Sequence, residues 1–211
     1  RGDVVAIMLP NSVAFLAAML GAWRVGAAVT PVNPTFTERE LRYQLDDSGA
    51  RLLVTAGAPA VEVETLAPTD LARIPDGSID DPPITPDTLA LLVYTSGSTG
   101  QPKGVMLDHA NLNAMAASLR RHIELGPDDQ ALLVLPLFHV NSLCVSFLAP
   151  ISAGGSVSIL ERFAPGTFLD AVQRYRPTYF SAVPAIFARL AEVPREQIPR
   201  LPSLRLAICG A

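Results

Sequence analysis

Short apolar runs and helical segments alternate over the first 55 residues, and this alternation restricts the possible folds more than any other feature of the sequence. The second helix opens with Thr37-Glu38-Arg39-Glu40, a capping box in which a hydroxyl and a carboxylate satisfy each other's backbone amides. Because strands joined through helices lie parallel, the pattern predicts an α/β fold with helices packed around a parallel sheet. The predicted strands span residues 4–9, 27–32 and 51–55, and the first helix spans residues 13–25.

The alternation is interrupted once and then resumes. Residues 56–87 are rich in Pro, Asp and Gly, which is typical of an irregular connection. We therefore predict a first α/β subdomain at 1–55, a connection at 56–87 and a second α/β subdomain at 88–211, with two mainly parallel sheets. The predicted extended segments of the second subdomain are 89–94, 104–107, 131–135, 156–160, 178–182 and 204–209. One predicted helix starts near residue 108, and three more span 141–148, 167–175 and 185–190. The helix from 108 should bury Leu112, Met115, Leu119 and Ile123 along one face.

Composition limits the class of protein. With 211 residues, 49% of them hydrophobic and 17% charged, the chain is long and apolar enough to bury a sizeable core. The net charge of −4 argues against a general nucleic-acid binder, which needs a basic surface. The apolar segment 131–160 is cut by Pro136, Pro150 and the Gly154-Gly155 pair, so it predicts no membrane-spanning helix.

The two cysteines, Cys144 and Cys209, both lie in apolar runs. Two buried free thiols are more consistent with a reducing compartment than with a disulfide framework. The sequence therefore predicts a cytoplasmic protein. The oligomeric state stays open.

The segment YTSGSTGQPKG, residues 94–104, concentrates small hydroxyl residues, three glycines and a single lysine behind an apolar strand. Most Gly/Ser/Thr runs are flexible connectors, but a connector does not need a lysine directly behind Pro102. Glycines allow backbone amides to converge on one point, hydroxyls add donors, and Lys103 adds charge, so the loop suits a polyphosphate. It is not a Walker loop, because Lys103 precedes a glycine and an extended stretch instead of a helix.

The motif YTSGSTGQPKGV resembles the phosphate-binding signature of the adenylate-forming enzymes, which include acyl-CoA and aryl-CoA synthetases, luciferases and adenylation domains of peptide synthetases. The resemblance extends through residues 2–34 and 37–55 and through the segments LPLFHVNSL, SAVPAIF and LRLAICGA. LPLFHV favours the acyl-CoA and aryl-CoA branch. The resemblance implies that the ATP phosphates contact Thr95, Ser96, Gly97, Ser98, Thr99, Gly100 and Lys103.

The same resemblance assigns further site residues. His139 would act catalytically beside the acyl carboxylate and the α-phosphate, and Asn141 would lie near the bound adenylate. Arg162 would meet coenzyme A phosphates, and Gly210 and Ala211 would line the acyl pocket. Taken alone, His139 is compatible with an ordinary core or rim histidine, Arg162 with a solvated surface arginine, and Gly210-Ala211 with a simple strand end.

The implied reaction uses a carboxylic acid, ATP, Mg²⁺ and coenzyme A. A carboxylate attacks the α-phosphate to give an acyl-adenylate and pyrophosphate, and the coenzyme A thiol then displaces AMP. No Tyr-Gly-x-Thr-Glu segment is present, so we expect the chain to be part of a larger amino-terminal domain and inactive by itself. An adenylation domain that loads a carrier protein and a non-catalytic nucleotide-binding module are the alternatives. Fatty, aryl and short dicarboxylic acids all stay open as substrates.

Overall fold

A computed structural model describes residues 2–73, 82–95 and 101–210. The chain divides into two compact units, with the boundary between Leu112 and Asn113. Each unit contains its own sheet, and most strands in both are parallel, as the alternation of strands and helices predicted.

The first unit contains a six-stranded sheet with two flanking helices among its described residues. The strand order is β4-β3-β1-β2-β5-β6, and the β5–β6 pair alone is antiparallel. A short 3-10 helix, Pro68–Ala72, follows β4. The elements are β1 (Val4–Met8), α1 (Val13–Arg24), β2 (Ala28–Pro31), α2 (Glu38–Ser48), β3 (Ala50–Thr55), β4 (Glu64–Leu66), β5 (Leu89–Thr95) and β6 (Lys103–Asp108).

Local signals in the sequence set the ends of both helices. Ser12 caps α1, and its hydroxyl accepts a hydrogen bond from the Phe15 N–H at 3.3 Å. The predicted capping box of α2 is confirmed, with Glu40 accepting from the Thr37 N–H at 2.8 Å. Gly49 ends α2 with a φ of 64°, a left-handed conformation that costs glycine little.

The boundary between units lies later than the sequence suggested. The predicted second subdomain began at residue 88, whereas β5 pairs with β2 through Val29 and Leu91, and β6 pairs with β5. Both strands therefore belong to the first sheet. Periodicity identifies a strand but not its neighbour. Ala90 and Leu91, consecutive residues of β5, are both fully buried.

The second unit contains a four-stranded parallel sheet in the order β10-β9-β7-β8. A 3-10 helix, Arg195–Gln197, precedes its last strand. The helix α3 leads into this unit from the first. The elements are α3 (His109–His122), β7 (Gln130–Leu133), a π-helix (Ser142–Leu148), α4 (Ala149–Ser152), β8 (Ser156–Ile159), α5 (Pro165–Tyr175), β9 (Tyr179–Ala182), α6 (Pro184–Ala191) and β10 (Leu206–Cys209).

Two predicted burial patterns differ from the structure. Met115 is 51% exposed, because Leu112, Ala116 and Leu119 share one face of α3 and Met115 projects from its margin. Cys144 is buried, and burial raises the pKa of its thiol to about 11. Cys209 is exposed instead, since alternate residues of the edge strand β10 face opposite sides of the sheet.

No helix among residues 2–73, 82–95 and 101–210 is long and apolar enough to span a membrane. The apolar segment 131–160 instead forms β7, the π-helix, α4 and β8.

Gly155 stands where three backbone carbonyls leave no room for a side chain. A Cβ at this position would lie 2.5 Å from the Asp129 oxygen and 3.2 Å from the Pro150 oxygen. We expect Gly155→Ala to lower the free energy of unfolding by about 2–3 kcal/mol, because backbone atoms must move to relieve the overlap. Urea unfolding of the purified protein measures this loss. Gly166→Ala is the control, since a Cβ there meets nothing within 4 Å, and equal stability of the two variants would contradict the prediction.

Candidate functional site

The base of the Gly/Ser/Thr loop is formed by the ends of β5 and β6. Thr95 is the last residue of β5 and Lys103 the first of β6, and the two are direct partners in the antiparallel register. Directly paired residues project from the same face, so a hydroxyl and an ammonium group stand together where the loop leaves the sheet. Both residues are exposed. Five other predicted phosphate contacts, Ser96, Gly97, Ser98, Thr99 and Gly100, lie outside the described residues.

Gly104 allows an unusually close approach between β6 and the side chains of β5. A Cβ on Gly104 would lie 3.0 Å from Leu92 Cδ1 and 3.2 Å from Tyr94 Cζ. The Tyr94 ring therefore packs against the backbone immediately after Lys103. This packing gives a physical reason for the glycine that follows the lysine in the motif.

A cavity of about 620 Å³ opens beside the base of the loop within the first unit. Tyr94 and Thr95 at the end of β5 line one part of this cavity, together with Gln101 and Pro102 just before β6. The rest of its lining comes from α2 and the residues just before it, namely Phe36, Thr37, Arg39, Glu40, Tyr43 and Gln44. The loop base is thus bordered by helix α2.

In the second unit, His139 lies between the end of β7 and the π-helix. The His139 backbone N–H donates to the Pro136 carbonyl at 3.1 Å, and the His139 backbone carbonyl accepts from the Leu143 N–H at 3.3 Å. The imidazole lies at the surface and stacks at 4.4 Å, centroid to centroid, against the Phe138 ring. Partial burial lowers the pKa of His139, so the imidazole is neutral at physiological pH.

Asn141, Ser181 and Gly210 meet at the carboxyl ends of β9 and β10. The Ser181 hydroxyl donates to Asn141 Oδ1 at 3.0 Å, which fixes the orientation of the amide. A Cβ on Gly210 would lie 3.1 Å from Asn141 Nδ2, so only a glycine leaves the amide undisturbed. The structure thus brings together two of the predicted substrate residues, Asn141 and Gly210. Ala211 lies outside the described residues.

Ser181 was missed by the sequence analysis. It is fully buried in β9 between apolar neighbours. A hydroxyl inside the apolar run Tyr-Phe-Ser-Ala was the available signal, because buried polar groups need a partner.

Arg162 lies just beyond the end of β8 and is exposed. It borders a shallow cavity of about 540 Å³ together with Arg174 of α5. Since β8 is parallel to β7, Arg162 and His139 both follow the carboxyl ends of strands in the same sheet, the edge at which open α/β sheets bind ligands. Glu161 and Asp170 also line this cavity, so the two arginines give it no net positive charge.

Within residues 2–73, 82–95 and 101–210, no three His, Cys, Asp or Glu side chains are grouped closely enough to hold a metal ion.

The chain is similar to known proteins over its whole length. The family model of the AMP-binding enzymes matches residues 1–211. A feruloyl-CoA synthase from Amycolatopsis sp is 38% identical over 99% of the chain, and a sulfoacetate–CoA ligase from Cupriavidus necator is 37% identical over 94%. The crystal structure of ATP-bound MatB from Rhodopseudomonas palustris superposes on the whole chain with a TM-score of 0.87 at 32% identity.

The chain spans less than half of the length of these relatives: 44% of the feruloyl-CoA synthase, 42% of the sulfoacetate–CoA ligase and 45% of the MatB chain. The similarity nevertheless covers nearly every residue of this chain and both of its sheets. The chain belongs to the AMP-binding family of adenylate-forming enzymes.

Proposed function

We propose that the complete protein is an ATP-dependent carboxylate–CoA ligase. A carboxylate oxygen attacks the α-phosphorus of ATP, the bond to the β-phosphate breaks, and pyrophosphate leaves. The thiol sulfur of coenzyme A then attacks the acyl carbon, the thiol proton passes to solvent, and AMP leaves. The observation that carries the proposal is the pairing of Thr95 with Lys103 at the base of the Gly/Ser/Thr loop.

In the first step, Lys103 and the loop hold the departing polyphosphate. Negative charge accumulates on pyrophosphate as it leaves, and a fixed ammonium group stabilises that charge without reorganisation of solvent. Thr95 lies directly across from Lys103 and adds a hydroxyl donor on the same face. The ends of β5 and β6 therefore define where the phosphate chain binds.

His139, Asn141 and Gly210 serve the acyl side of the reaction in this proposal. A neutral imidazole at His139 avoids an ion pair that would hold the carboxylate in its ground state. The Ser181 hydrogen bond keeps the Asn141 amide in one orientation, and Gly210 leaves space beside it. Arg162 would meet the phosphates of coenzyme A.

The class of acid is a separate part of the proposal. A feruloyl-CoA synthase and a sulfoacetate–CoA ligase are almost equally similar to this chain, so overall identity does not select between an aromatic and a small sulfonated acid. Aromatic acids are the first class to test. Activity on fatty acids and a cytoplasmic location stay predictions.

Mg²⁺ would supply positive charge that offsets the phosphate charge in such a reaction. The described residues hold no cluster of metal ligands. We assign no described residue to Mg²⁺ binding.

The test is a panel of acids supplied to the protein expressed from its complete coding sequence. With ATP and coenzyme A, we expect acid-dependent release of pyrophosphate and an acyl-CoA product detected by mass spectrometry. A parallel reaction replaces coenzyme A with a phosphopantetheinylated carrier protein. Transfer to the carrier alone would favour an adenylation domain, and absence of pyrophosphate release with every acid would favour a non-catalytic nucleotide-binding module.

A further inference from the structure

Helix α2 contacts the backbone just before Lys103. The Tyr43 hydroxyl donates to the Pro102 carbonyl at 2.8 Å, although 59 positions separate the two residues. Tyr43 is half-buried, and Pro102 is exposed. The tyrosine therefore ties an exposed part of the loop to a packed helix.

A second contact holds the backbone just after Lys103. The Tyr94 ring packs against Gly104, and its hydroxyl donates to Asp47 Oδ2 at 2.6 Å. Burial and the hydrogen bond to Asp47 both raise the pKa of Tyr94, so the phenol stays a donor at all physiological pH values. The Tyr43 and Tyr94 rings also meet edge to face, with centroids 6.5 Å apart.

The helix that carries Tyr43 and Asp47 is itself fixed to the sheet. Tyr43 and Asp47 are four residues apart and share one face of α2. Gln44, between them, is buried, and its Nε2 donates to Thr30 Oγ1 at 2.7 Å and to the Pro31 carbonyl at 3.0 Å. Hydrogen bonds thus run from β2 through α2 to the Pro102 carbonyl just before Lys103. A further hydrogen bond joins Asp47 of α2 to Tyr94, whose ring packs against Gly104 just after the lysine.

We propose that Tyr43, Tyr94 and Asp47 are positioning residues for Lys103, and this proposal rests on the proposed function of the loop. None of them needs to touch the nucleotide. By fixing the backbone at Pro102 and Gly104, they hold the lysine at the end of the sheet before ATP arrives. Binding then costs less ordering of the Lys103 side chain, which is the usual benefit of preorganisation.

The test is Tyr43→Phe in the complete protein, since it removes a single hydroxyl and keeps the ring. We expect the KM for ATP to rise about 3- to 10-fold, while the KM for the acid and the thermal midpoint change little. Asp47→Asn should act in the same direction. The matched control is Ser48→Ala, which removes another hydroxyl of α2 that bonds a backbone carbonyl, that of Leu45, and should leave the KM for ATP unchanged.

A double variant separates positioning from general stability. If Tyr43 acts through Lys103, then Tyr43→Phe added to Lys103→Ala raises the KM for ATP no further than Lys103→Ala alone. Full additivity, or equal rises in the KM values for ATP and acid together with a lower thermal midpoint, would overturn the positioning role. A wild-type protein without acid-dependent pyrophosphate release would instead contradict the proposed function, so the two failures are distinguishable.

Discussion

Replacing Lys103 with alanine in the complete protein is expected to lower kcat/KM for ATP by about 10- to 150-fold. This range corresponds to a charge-assisted contact of about 1.5–3 kcal/mol. Lys103 is the lone cation within the motif. Tyr43 of α2 bonds the backbone just before it, and the Tyr94 ring, itself bonded to Asp47 of α2, packs against the backbone just after it. The kinetics are measured by pyrophosphate release at saturating acid, with ATP varied.

Lys103→Arg and Lys103→Met are the matched variants for this experiment. Arginine keeps the charge but changes the geometry of its donors, so it should recover part of the lost activity, while methionine keeps the length and should behave like alanine. Unchanged ATP kinetics in Lys103→Ala would mean that backbone amides and hydroxyls bind the phosphates without the ammonium group.

Asp129→Ala is expected to lower the free energy of unfolding by about 2–4 kcal/mol. Asp129 is 8% exposed, and it accepts hydrogen bonds from Arg205 Nε at 2.9 Å, Thr178 Oγ1 at 2.6 Å and the Gly126 N–H at 2.9 Å. These partners link the start of β7 to residues that precede β9 and β10. The figure stays below that of a fully buried ion pair because the Arg205 side chain is 40% exposed.

The same carboxylate gives stability a defined pH dependence. Burial alone would raise the pKa of Asp129, but hydrogen bonds from Arg205, Thr178 and Gly126 outweigh it and hold the pKa at about 2. Since this pKa is lower than that of an unfolded aspartate, the contribution is complete above about pH 4 and is lost as the pH falls toward 2. Urea unfolding at several pH values measures it.

The neighbouring exposed Asp128 provides the control for both measurements. Asp128→Ala should leave both the stability and its acid dependence close to those of the wild type. If Asp129→Ala and Asp128→Ala lost equal stability, the hydrogen-bond network around Asp129 would not have the role given to it.

Sequence patterns predicted the elements of this fold better than their arrangement. Strands and helices occur close to where periodicity and capping residues place them, and Thr37 and Gly49 mark the ends of α2 as expected. Periodicity carries no information about which strands are neighbours. The antiparallel pairing of β5 with β6, and their position in the first sheet, therefore appeared only in the structure.

In the candidate site, too, local features could be predicted from the sequence and long-range contacts could not. The motif predicts Lys103 and Thr95 as phosphate contacts because a cluster of hydroxyls, glycines and one cation is a local property of the sequence. Ser181 and Tyr43 act on partners 40 and 59 positions away, Asn141 and Pro102. Contacts over such separations depend on how strands and helices pack, so a single sequence gives no direct sign of them.

The most direct test of the account is a crystal structure of the complete protein bound to a non-hydrolysable ATP analogue. We expect the triphosphate at the end of β5 and β6, with the Lys103 ammonium within hydrogen-bond distance of a β- or γ-phosphate oxygen and the Tyr43–Pro102 hydrogen bond intact. A triphosphate bound away from these two strands, with Lys103 pointing into solvent, would contradict it.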